Sequence, residues 1–442
     1  MLKRIQPQGD ASGVWTTIGD AASADFFYDG LQYSPPARGP WNIVHTNMLV
    51  PGSHQIYICA LGCLRGVVLT AAEMGAMDRF SSIVVEEQRL YDGTMEDFIV
   101  ASTADILSRL PKLPTACFLY PSCMHHFLGC DMDDVCHRLQ ERYGQTKFVL
   151  CWMDPIRRHS KLTAEMRTRR QIYSLLEPTA ADPMSVNLIG SNLPVQADCE
   201  LRQLLQKHGR ILRELPSCKT WADYQAMASS VVNIGQEPLA HIGLDTLQDQ
   251  LGQKGLYVSN SFSADEIDEH LRQVADMLDI PYLDCSAAAA ACEEEFSLTK
   301  SLVGSQEIAI DAAAVFRPFN LAKVLLEHGF AVSRIYADAV GSDDSADFQW
   351  LKAHYPDLRL YSIRHAAMRR ADRHTDRPVL AIGQKAAYFT GTTHFVNMAE
   401  NGGLRDFAGV RTLLRWMREA AVQEKEVKPA ISRKGWGCTS CL

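Results

Sequence analysis

Residues 118–139, FLYPSCMHHFLGCDMDDVCHRL, contain the pattern from which the predicted fold is built. The short apolar run FLYP at its start is typical of a buried strand. Asp131 indicates the N-cap of a helix, because acidic side chains also occupy the first turn at Asp133 and Asp134. The stretch therefore predicts a strand that is followed closely by a helix. The turn between them carries four residues of types that can bind metals: Cys123, His125, His126 and Cys130.

Short apolar runs alternate with helical patterns along most of the 442 residues. Continuous apolar strands between helices indicate parallel sheets that are covered on both faces. The sequence therefore predicts an α/β protein with three Rossmann-like, doubly wound domains and mostly parallel sheets. The expected strands are 56–62, 82–86, 116–121 and 147–153, then 186–190, 231–235 and 280–284, then 307–311, 332–337, 358–363, 378–383 and 393–398.

Two segments of irregular composition separate the predicted units. A lead-in rich in Gly, Pro, Ser and Asp comes first, and the linker LLEPTAADPMS separates the first two blocks of strands. The predicted organisation is an irregular N-terminal lead-in at 1–40, a cluster-binding α/β domain at 41–180, a second α/β domain at 181–305, a third at 306–425 and a Cys-containing tail at 426–442.

Composition and charge argue against several classes of function. The formal net charge of -8 disfavours a nucleic-acid-binding protein, which usually carries a basic surface. The N-terminal residues MLKRIQPQGDAS lack the apolar core of a signal peptide, and no run reaches the ~18 apolar residues of a membrane helix. We expect a cytoplasmic protein with no nucleic-acid or membrane partner, in which the 13 cysteines are reduced.

Thiols and carboxylates follow the first three predicted strands. Ligands of open α/β sheets bind outside the carboxyl ends of the strands, so these side chains can face one site. Thiolates suit an iron–sulfur cluster or zinc, but the spacings of Cys59 to Cys63 and of Cys123 to Cys130 match a zinc ribbon poorly. Cys59 also lies within an apolar strand, so a plain core role stays open for it. Glu86 and Glu87 follow the strand between these two segments.

Several segments resemble nitrogenase component 1 in their order and spacing. ICALGC at 58–63 is similar to the family motif His-Gly-Pro-x-Gly-Cys, and SCMHHFLGCD at 122–131 is similar to Cys-Pro-x-x-x-Ile-Gly-Asp-Asp. The intervening IVVEE stands where the family has an IVFGG-like segment. EPTAADPMSVNLIG resembles the family's linker, and DFAGVRTLLRWM resembles its C-terminal helix. The chain is identified by this resemblance, from about residue 40 to 425, as a member of the nitrogenase component 1 superfamily.

The resemblance implies ligands for an iron–sulfur cluster. Cys63 and Cys123 match two cysteines that hold the family's cluster at a subunit interface. The family's earlier cluster cysteine has no counterpart, because its place falls near Ala37. The expected replacements are Cys59 or Cys130, and more weakly Glu86 or Glu87; helix packing is the alternative role for Cys130.

The resemblance also implies a reductase that is not a true dinitrogenase. Nitrogenases hold their large active-site cofactor with one cysteine and one histidine, and the corresponding positions here are Leu271 and Val396. The implied activity is reduction of a small or tetrapyrrole-like substrate, with electrons from an ATPase reductase that resembles the nitrogenase iron protein. The chain itself has no Walker A motif. The alternatives are a non-catalytic scaffold for assembly of a metal cofactor and a structural protein without clusters.

The resemblance also implies the assembly, whereas His125 and His126 have no counterpart in the family and are proposed as proton donors from their chemistry. We expect a homodimer or a heterotetramer with a homologous component 1 chain, and a second metal cofactor in the central cleft stays open. The expected proton donors are His125, His126, Glu86 and Glu87, with a structural, hydrogen-bonded histidine as the alternative for the first two. Cys438 and Cys441, spaced as Cys-x-x-Cys in the tail, are further metal or cluster ligands unless they are idle thiols.

Overall fold

The computed structural model describes residues 13–22, 26–27, 32–35, 37, 39, 42–91, 93–153, 162–371, 373, 375 and 377–425. Their strands are β1 (Trp15–Thr17), β2 (Ser53–Cys59), β3 (Phe80–Val84), β4 (Ala116–Pro121), β5 (Lys147–Leu150), β6 (Asp182–Ile189), β7 (Ile211–Glu214), β8 (Ser230–Gly235), β9 (Lys254–Tyr257), β10 (Glu307–Asp311), β11 (Ala331–Tyr336), β12 (Arg359–Tyr361), β13 (Val379–Ile382) and β14 (Phe395–Val396). Their α-helices are α1 (Ile43–Met48), α2 (Leu61–Glu73), α3 (Met95–Arg109), α4 (Cys123–Leu128), α5 (Met132–Arg142), α6 (Ala164–Ser174), α7 (Glu200–Lys207), α8 (Trp221–Gln225), α9 (Ala240–Leu251), α10 (Ala264–Met277), α11 (Ser286–Val303), α12 (Pro318–Glu327), α13 (Ser345–His354), α14 (Gln384–Thr390) and α15 (Asp406–Val422).

The strands form three sheets. The first has the order β3-β2-β4-β5 and the second the order β7-β6-β8-β9, and both are parallel throughout. The third has the order β1-β12-β11-β10-β13-β14 and is parallel except for β1. These sheets confirm the predicted α/β fold class, whereas the exact domain limits stay a prediction. No helix of the described residues is long and apolar enough to cross a membrane.

The first sheet is covered on both faces because its central strands are apolar on both sides. On one face, Tyr57 and Cys59 of β2 and Tyr120 of β4 pack with side chains of α1 and α2. The rings of Tyr57 and Tyr120 stack with their centroids 4.3 Å apart. On the other face, Ile56 and Ile58 pack with side chains of α3 and α5. Each large apolar side chain buried in this way contributes about 1.5–3 kcal/mol to folding.

The predicted strand at 280–284 is wrong. This segment is irregular and connects α10 to α11, and the fourth strand of the second sheet is β9 instead. Pro281 cannot donate a backbone hydrogen bond to a sheet. The Tyr282 hydroxyl donates to Asp268 of α10, and the Arg272 guanidinium lies 4.0 Å from the Tyr282 ring centroid. The segment therefore packs on α10 and joins no sheet.

The lead-in also differs from the irregular segment that was predicted. Residues 15–17 form β1, which pairs antiparallel with β12 at the edge of the third sheet. Two further backbone bonds continue this pairing: Ile18 N–H donates to Leu358 at 2.7 Å, and Gly19 N–H donates to Pro356 at 2.9 Å. A three-residue strand leaves too short a periodic pattern in the sequence to be recognised there.

Candidate metal centre

The loops that follow β2, β3 and β4 meet at one edge of the first sheet, here called the rim (residues 59–63, 85–87 and 122–130). The Val85 N–H donates to the Cys59 carbonyl at 3.0 Å, and the Ser122 N–H donates to the Ile58 carbonyl at 3.1 Å. These bonds extend the strand pairing into the loops and place the loops side by side. All the candidate site residues predicted in the first domain therefore lie on this rim.

Cys63 and Cys123 occupy equivalent places in two neighbouring strand–helix units. Cys63 lies in the first turn of α2, which follows β2, and Cys123 is the first residue of α4, which follows β4. The Cys63 residue is exposed and Cys123 is partly exposed. Both are thus open to a ligand or to a second protein.

Large apolar side chains near the two cysteines are also exposed. Leu61 is 72% exposed and stands two residues before Cys63. On α4, Phe127 is 76% exposed and Leu128 is 42% exposed. Phe127 is four residues after Cys123 and so shares its side of the helix. Exposed apolar side chains grouped in this way are typical of surfaces that contact another protein.

Cys59 and Cys130 are held differently from those two cysteines. Cys59 is fully buried with the side chains of the α1 and α2 face, and Cys130 packs partly against the α3 and α5 face. Burial, followed by the charge of Cys63, raises the pKa of the Cys59 thiol to about 12. Burial, with the charge of Glu96, also raises the pKa of Cys130. Both thiols favour the protonated form, which must lose its proton before it binds a metal.

The two rim histidines have distinct surroundings. His125 is fully buried, and its Nδ1 accepts from the Ser122 N–H at 3.2 Å, which positions the start of α4 next to Cys123. Its Nε2 has no hydrogen-bond partner among the described residues. Burial lowers the pKa of His125, so its ring is neutral near pH 7. His126 stacks on Trp152, with the ring centroids 3.7 Å apart.

The described residues of the rim do not form a complete metal site within one chain. Glu86 and Glu87 are exposed just after β3, and Ala37, near which the resemblance placed the family's earlier cysteine, is buried. Across the described ranges, no group of three or more His, Cys, Asp and Glu side chains is arranged to hold a metal ion. The accessible thiols of Cys63 and Cys123 fit a shared iron–sulfur cluster, because further ligands can then come from a second chain. Cys438 and Cys441 lie outside the described residues.

A buried polar group, here called the junction cluster, was missed by sequence reasoning. It consists of Arg169 on α6, Asn192 after β6, Glu237 after β8 and Glu400 after β14. Arg169 Nη2 donates to Asn192 Oδ1 at 2.7 Å, and Asn192 Nδ2 donates to Glu400 Oε2 at 2.9 Å. The sequence contained a signal for this cluster, because polar residues follow the predicted strands VNLIG and VVNIG, just as the candidate ligands follow the strands of the first sheet.

The charge of the junction cluster depends on Glu237. Its Oε1 is buried and has no hydrogen-bond partner among the described residues, and the same is true of Arg169 Nη1. Burial raises the pKa of Glu237 to about 8, although Arg169 acts against the rise and Glu400 adds to it. Glu237 therefore carries a proton near neutral pH.

Strained backbone holds the Glu400 side of the junction cluster. Glu400 and Asn401 have φ values of 47° and 61°, and Asp406 has 56°. Such conformations cost about 1–3 kcal/mol each and persist only where surrounding contacts enforce them. The N–H groups of Glu400 and Asn401 donate to the carbonyls of Ala313 and Ala314 at 3.0 and 2.7 Å, which supplies that enforcement.

A second metal cofactor at this junction does not fit the described side chains. The junction cluster offers a guanidinium, an amide and two carboxylates, and none of its members is a thiolate or an imidazole. Leu271 and Val396, which the resemblance matched to the nitrogenase cofactor ligands, are each 1% exposed within the apolar core.

The fold is an α/β architecture of three mostly parallel sheets, and the comparisons with known proteins identify its family. The family model "Nitrogenase component 1 type Oxidoreductase" matches residues 105–418. The chain belongs to the nitrogenase component 1 type oxidoreductase family.

Two solved structures share the fold. "Nitrogenase Cp1 at pH 6.5" superposes with a TM-score of 0.66 at 11% identity, covering 89% of this chain and 94% of that chain. "Nitrogenase Cp1 at pH 5" gives 0.64 at 12% identity, covering 95% of both chains. At such identities the likeness shows the fold alone. The comparison with curated proteins gave no match.

Proposed function

We propose that this chain is one subunit of a nitrogenase-like oxidoreductase whose rim binds an iron–sulfur cluster through Cys63 and Cys123. Electrons come from an ATP-dependent iron–sulfur reductase similar to the nitrogenase iron protein. The substrate is small or tetrapyrrole-like. The family membership supports the reaction class, and the rim supports the location of the cluster.

One observation carries the proposal: two accessible thiols follow adjacent parallel strands and lie among exposed apolar side chains. A second chain that covers the rim accounts for both features, because it can supply the missing ligands and bury the exposed apolar side chains. The assembly is then a homodimer or a heterotetramer with a homologous chain, in which the interface supplies the remaining ligands. The apolar side chains Leu61, Phe127 and Leu128 exclude water from that interface.

The cluster, when bound, passes single electrons between reductase and substrate. The chain's own residues hold and surround it. His125 positions the first residue of α4 through its bond to Ser122, and its neutral ring is suited to passing a proton rather than storing one. His126, Glu86 and Glu87 are the other proposed proton donors of the rim, and Cys59 or Cys130 is the proposed additional ligand.

Iron and sulfide analysis tests the ligand assignment. The wild-type chain is purified without oxygen, and iron and acid-labile sulfide are measured per chain. Cys63→Ala and Cys123→Ala should each lose most of both elements. Cys218→Ala, which removes a partly exposed thiol of the second domain, is the matched control and should retain them. Full iron content in both rim variants would show that the assignment is wrong.

Turnover separates the enzyme from the assembly scaffold. Reduction of a substrate by the iron-loaded chain, dependent on the cognate reductase and ATP, is the result expected here. Bound iron and sulfide that are transferred to an acceptor protein without any turnover would favour the scaffold. If the chain binds neither iron nor sulfide, the remaining interpretation is a structural protein without clusters.

A further inference from the structure

A polar cavity opens at the edge of the third sheet where its parallel strands begin. Its volume is about 630 Å³, which is the size of many small-molecule sites. It lies where β10, β11 and β12 begin and where residue 377 leads into β13. Neither the family's motifs nor the candidate metal centre involves this cavity.

Arginines dominate the charge of the third-sheet cavity. Arg334, Arg359 and Arg377 line it, against the two carboxylates of Glu307 and Asp357. Arg334 is already paired, since its Nη2 lies 2.9 Å from Glu307 Oε2. Among the residues that the structure describes, Arg359 and Arg377 have no ion-pair partner. A net positive concavity on a chain of net charge -8 attracts small anions.

The N-terminal strand holds Arg359 in place. The Arg359 guanidinium lies over the Trp15 ring, with Cζ 5.4 Å from the ring centroid. Among the described residues, the Arg359 guanidinium donates no hydrogen bond, so its N–H donors are available to a ligand. Guanidinium groups match the geometry of phosphate oxygens and bind them through two parallel hydrogen bonds.

The wall of the cavity is held by the same segment. Ile18 and Gly19 bond to the carbonyls of Leu358 and Pro356, two of the lining residues. A Cβ at Gly19 would lie 3.1 Å from Pro356, so the turn needs a residue without a side chain to approach this closely. Because the wall is held before a ligand arrives, little conformational entropy is lost on binding.

We propose that the third-sheet cavity binds a small molecule that bears phosphate groups, with Arg359 and Arg377 as its anion-binding side chains. The guanidinium groups of Arg359 and Arg377 are complementary to the negative charge and the oxygen geometry of phosphate groups. The exposed ring of Tyr355 lines the same cavity and offers a surface on which a base can stack. The proposal is independent of the metal centre, since it involves no rim residue.

Calorimetric titration of the full chain with inorganic pyrophosphate, ADP and adenosine tests the proposal. Saturable binding of pyrophosphate and ADP at low salt, with no binding of adenosine, is expected. Equal affinity for the first two indicates a phosphate site, and tighter binding of ADP indicates a nucleotide site. Arg359→Gln and Arg377→Gln should each weaken binding about tenfold or more. Trp15→Leu should weaken it less, because it removes the stacking surface and leaves the charge.

Arg109→Gln is the matched control, because it removes the same charge from an exposed position on α3. The control should bind as the wild type does, and circular dichroism confirms that each variant is folded. The proposal is overturned by absence of saturable binding, by adenosine binding as tightly as ADP, or by equal affinities of the cavity variants and the wild type. An equal loss in the Arg109 control would also overturn it, since it would show general electrostatic attraction.

Discussion

Arg169 Nη2 donates a hydrogen bond of 2.7 Å to Asn192 Oδ1, and this contact ties α6 to the loop after β6. Asn192 in turn donates to Glu400, so the Asn192 amide connects α6 to the loop after β14. Buried polar contacts of this kind depend on one another, because a polar atom that loses its partner there has no water molecule with which to form a hydrogen bond.

Removing the buried guanidinium should therefore be costly. Arg169→Met leaves the buried Asn192 Oδ1 without its donor, and we expect a loss of about 1–3 kcal/mol in the free energy of unfolding. Urea denaturation measures this loss. Arg109→Met, at an exposed ion pair, should cost less than about 1 kcal/mol. Equal losses in the two variants would contradict the importance of the junction cluster.

The junction cluster should also make stability depend on pH. The folded chain keeps a proton on Glu237 up to about pH 8, whereas an ordinary Glu loses it near 4.5. The stabilisation is thus fully present below about pH 4.5 and is lost as the pH rises toward 8. Glu237→Gln keeps an uncharged side chain, so its unfolding free energy should exceed that of the wild type by an amount that grows with pH, up to about 5 kcal/mol.

Unfolding of wild type and Glu237→Gln at a series of pH values between 5 and 9 measures this difference. Glu165→Gln, an exposed change on the same helix as Arg169, is the control and should show no such trend. A difference between Glu237→Gln and wild type that stays constant across the series would contradict the raised pKa.

Gly190, which ends β6, should tolerate no side chain. Its φ is +102°, and a Cβ there would lie 2.7 Å from the Cβ of Ala240 and 3.0 Å from Cγ of Glu237. We expect Gly190→Ala to cost about 2–4 kcal/mol, from backbone strain and from displacement of α9. Gly144→Ala, whose Cβ meets no atom within 4 Å, is the comparison in thermal unfolding. Similar melting temperatures for the two variants would argue against this close approach.

The rim cysteines should differ sharply in reactivity. In the metal-free chain, iodoacetamide should label Cys63 much faster than Cys59, because Cys63 is exposed and Cys59 is fully buried with its pKa raised to about 12. Mass spectrometry of the peptides measures both rates. In the iron-loaded assembly the labelling of Cys63 should fall strongly. Unchanged labelling would mean that neither a cluster nor a second chain covers the rim.

The apolar side chains of the rim should act in association rather than in folding. Phe127→Ser and Leu128→Ser together should lower self-association at least about tenfold, with little change in unfolding free energy. Light scattering over a range of concentrations measures the association. Leu298→Ser on α11, where the side chain is 57% exposed, is the control at a distant surface. An equal loss of self-association in the Leu298→Ser control would count against an interface at the rim.

Sequence patterns predicted the elements whose apolar residues are contiguous. Strand β4 has the predicted bounds, 116–121, because all its residues are buried. Strand β9 was missed because two of its four residues are exposed. IPYLD was predicted as a strand because it is a short apolar run, but in the structure it is irregular and its apolar residues cover a helix. The positions of the rim loops followed from the rule that parallel strands end at one edge.

The junction cluster could not be found in the same way. Arg169 stands among other arginines in the stretch AEMRTRRQIYS, and nothing in that pattern shows which guanidinium is buried. Its partners come from distant parts of the chain, and their approach depends on how the second and third sheets pack. The choice of cluster ligands beyond Cys63 and Cys123 likewise depends on a second chain, which one sequence does not contain.

The pairing of Trp15 with Tyr361 has a consequence for biosynthesis. The earliest described strand has no partner until the ribosome has synthesised β12. The largest sheet can therefore close this edge only after residue 361 has left the ribosome. Until then the nascent chain must keep Trp15 and its neighbours from pairing with other chains.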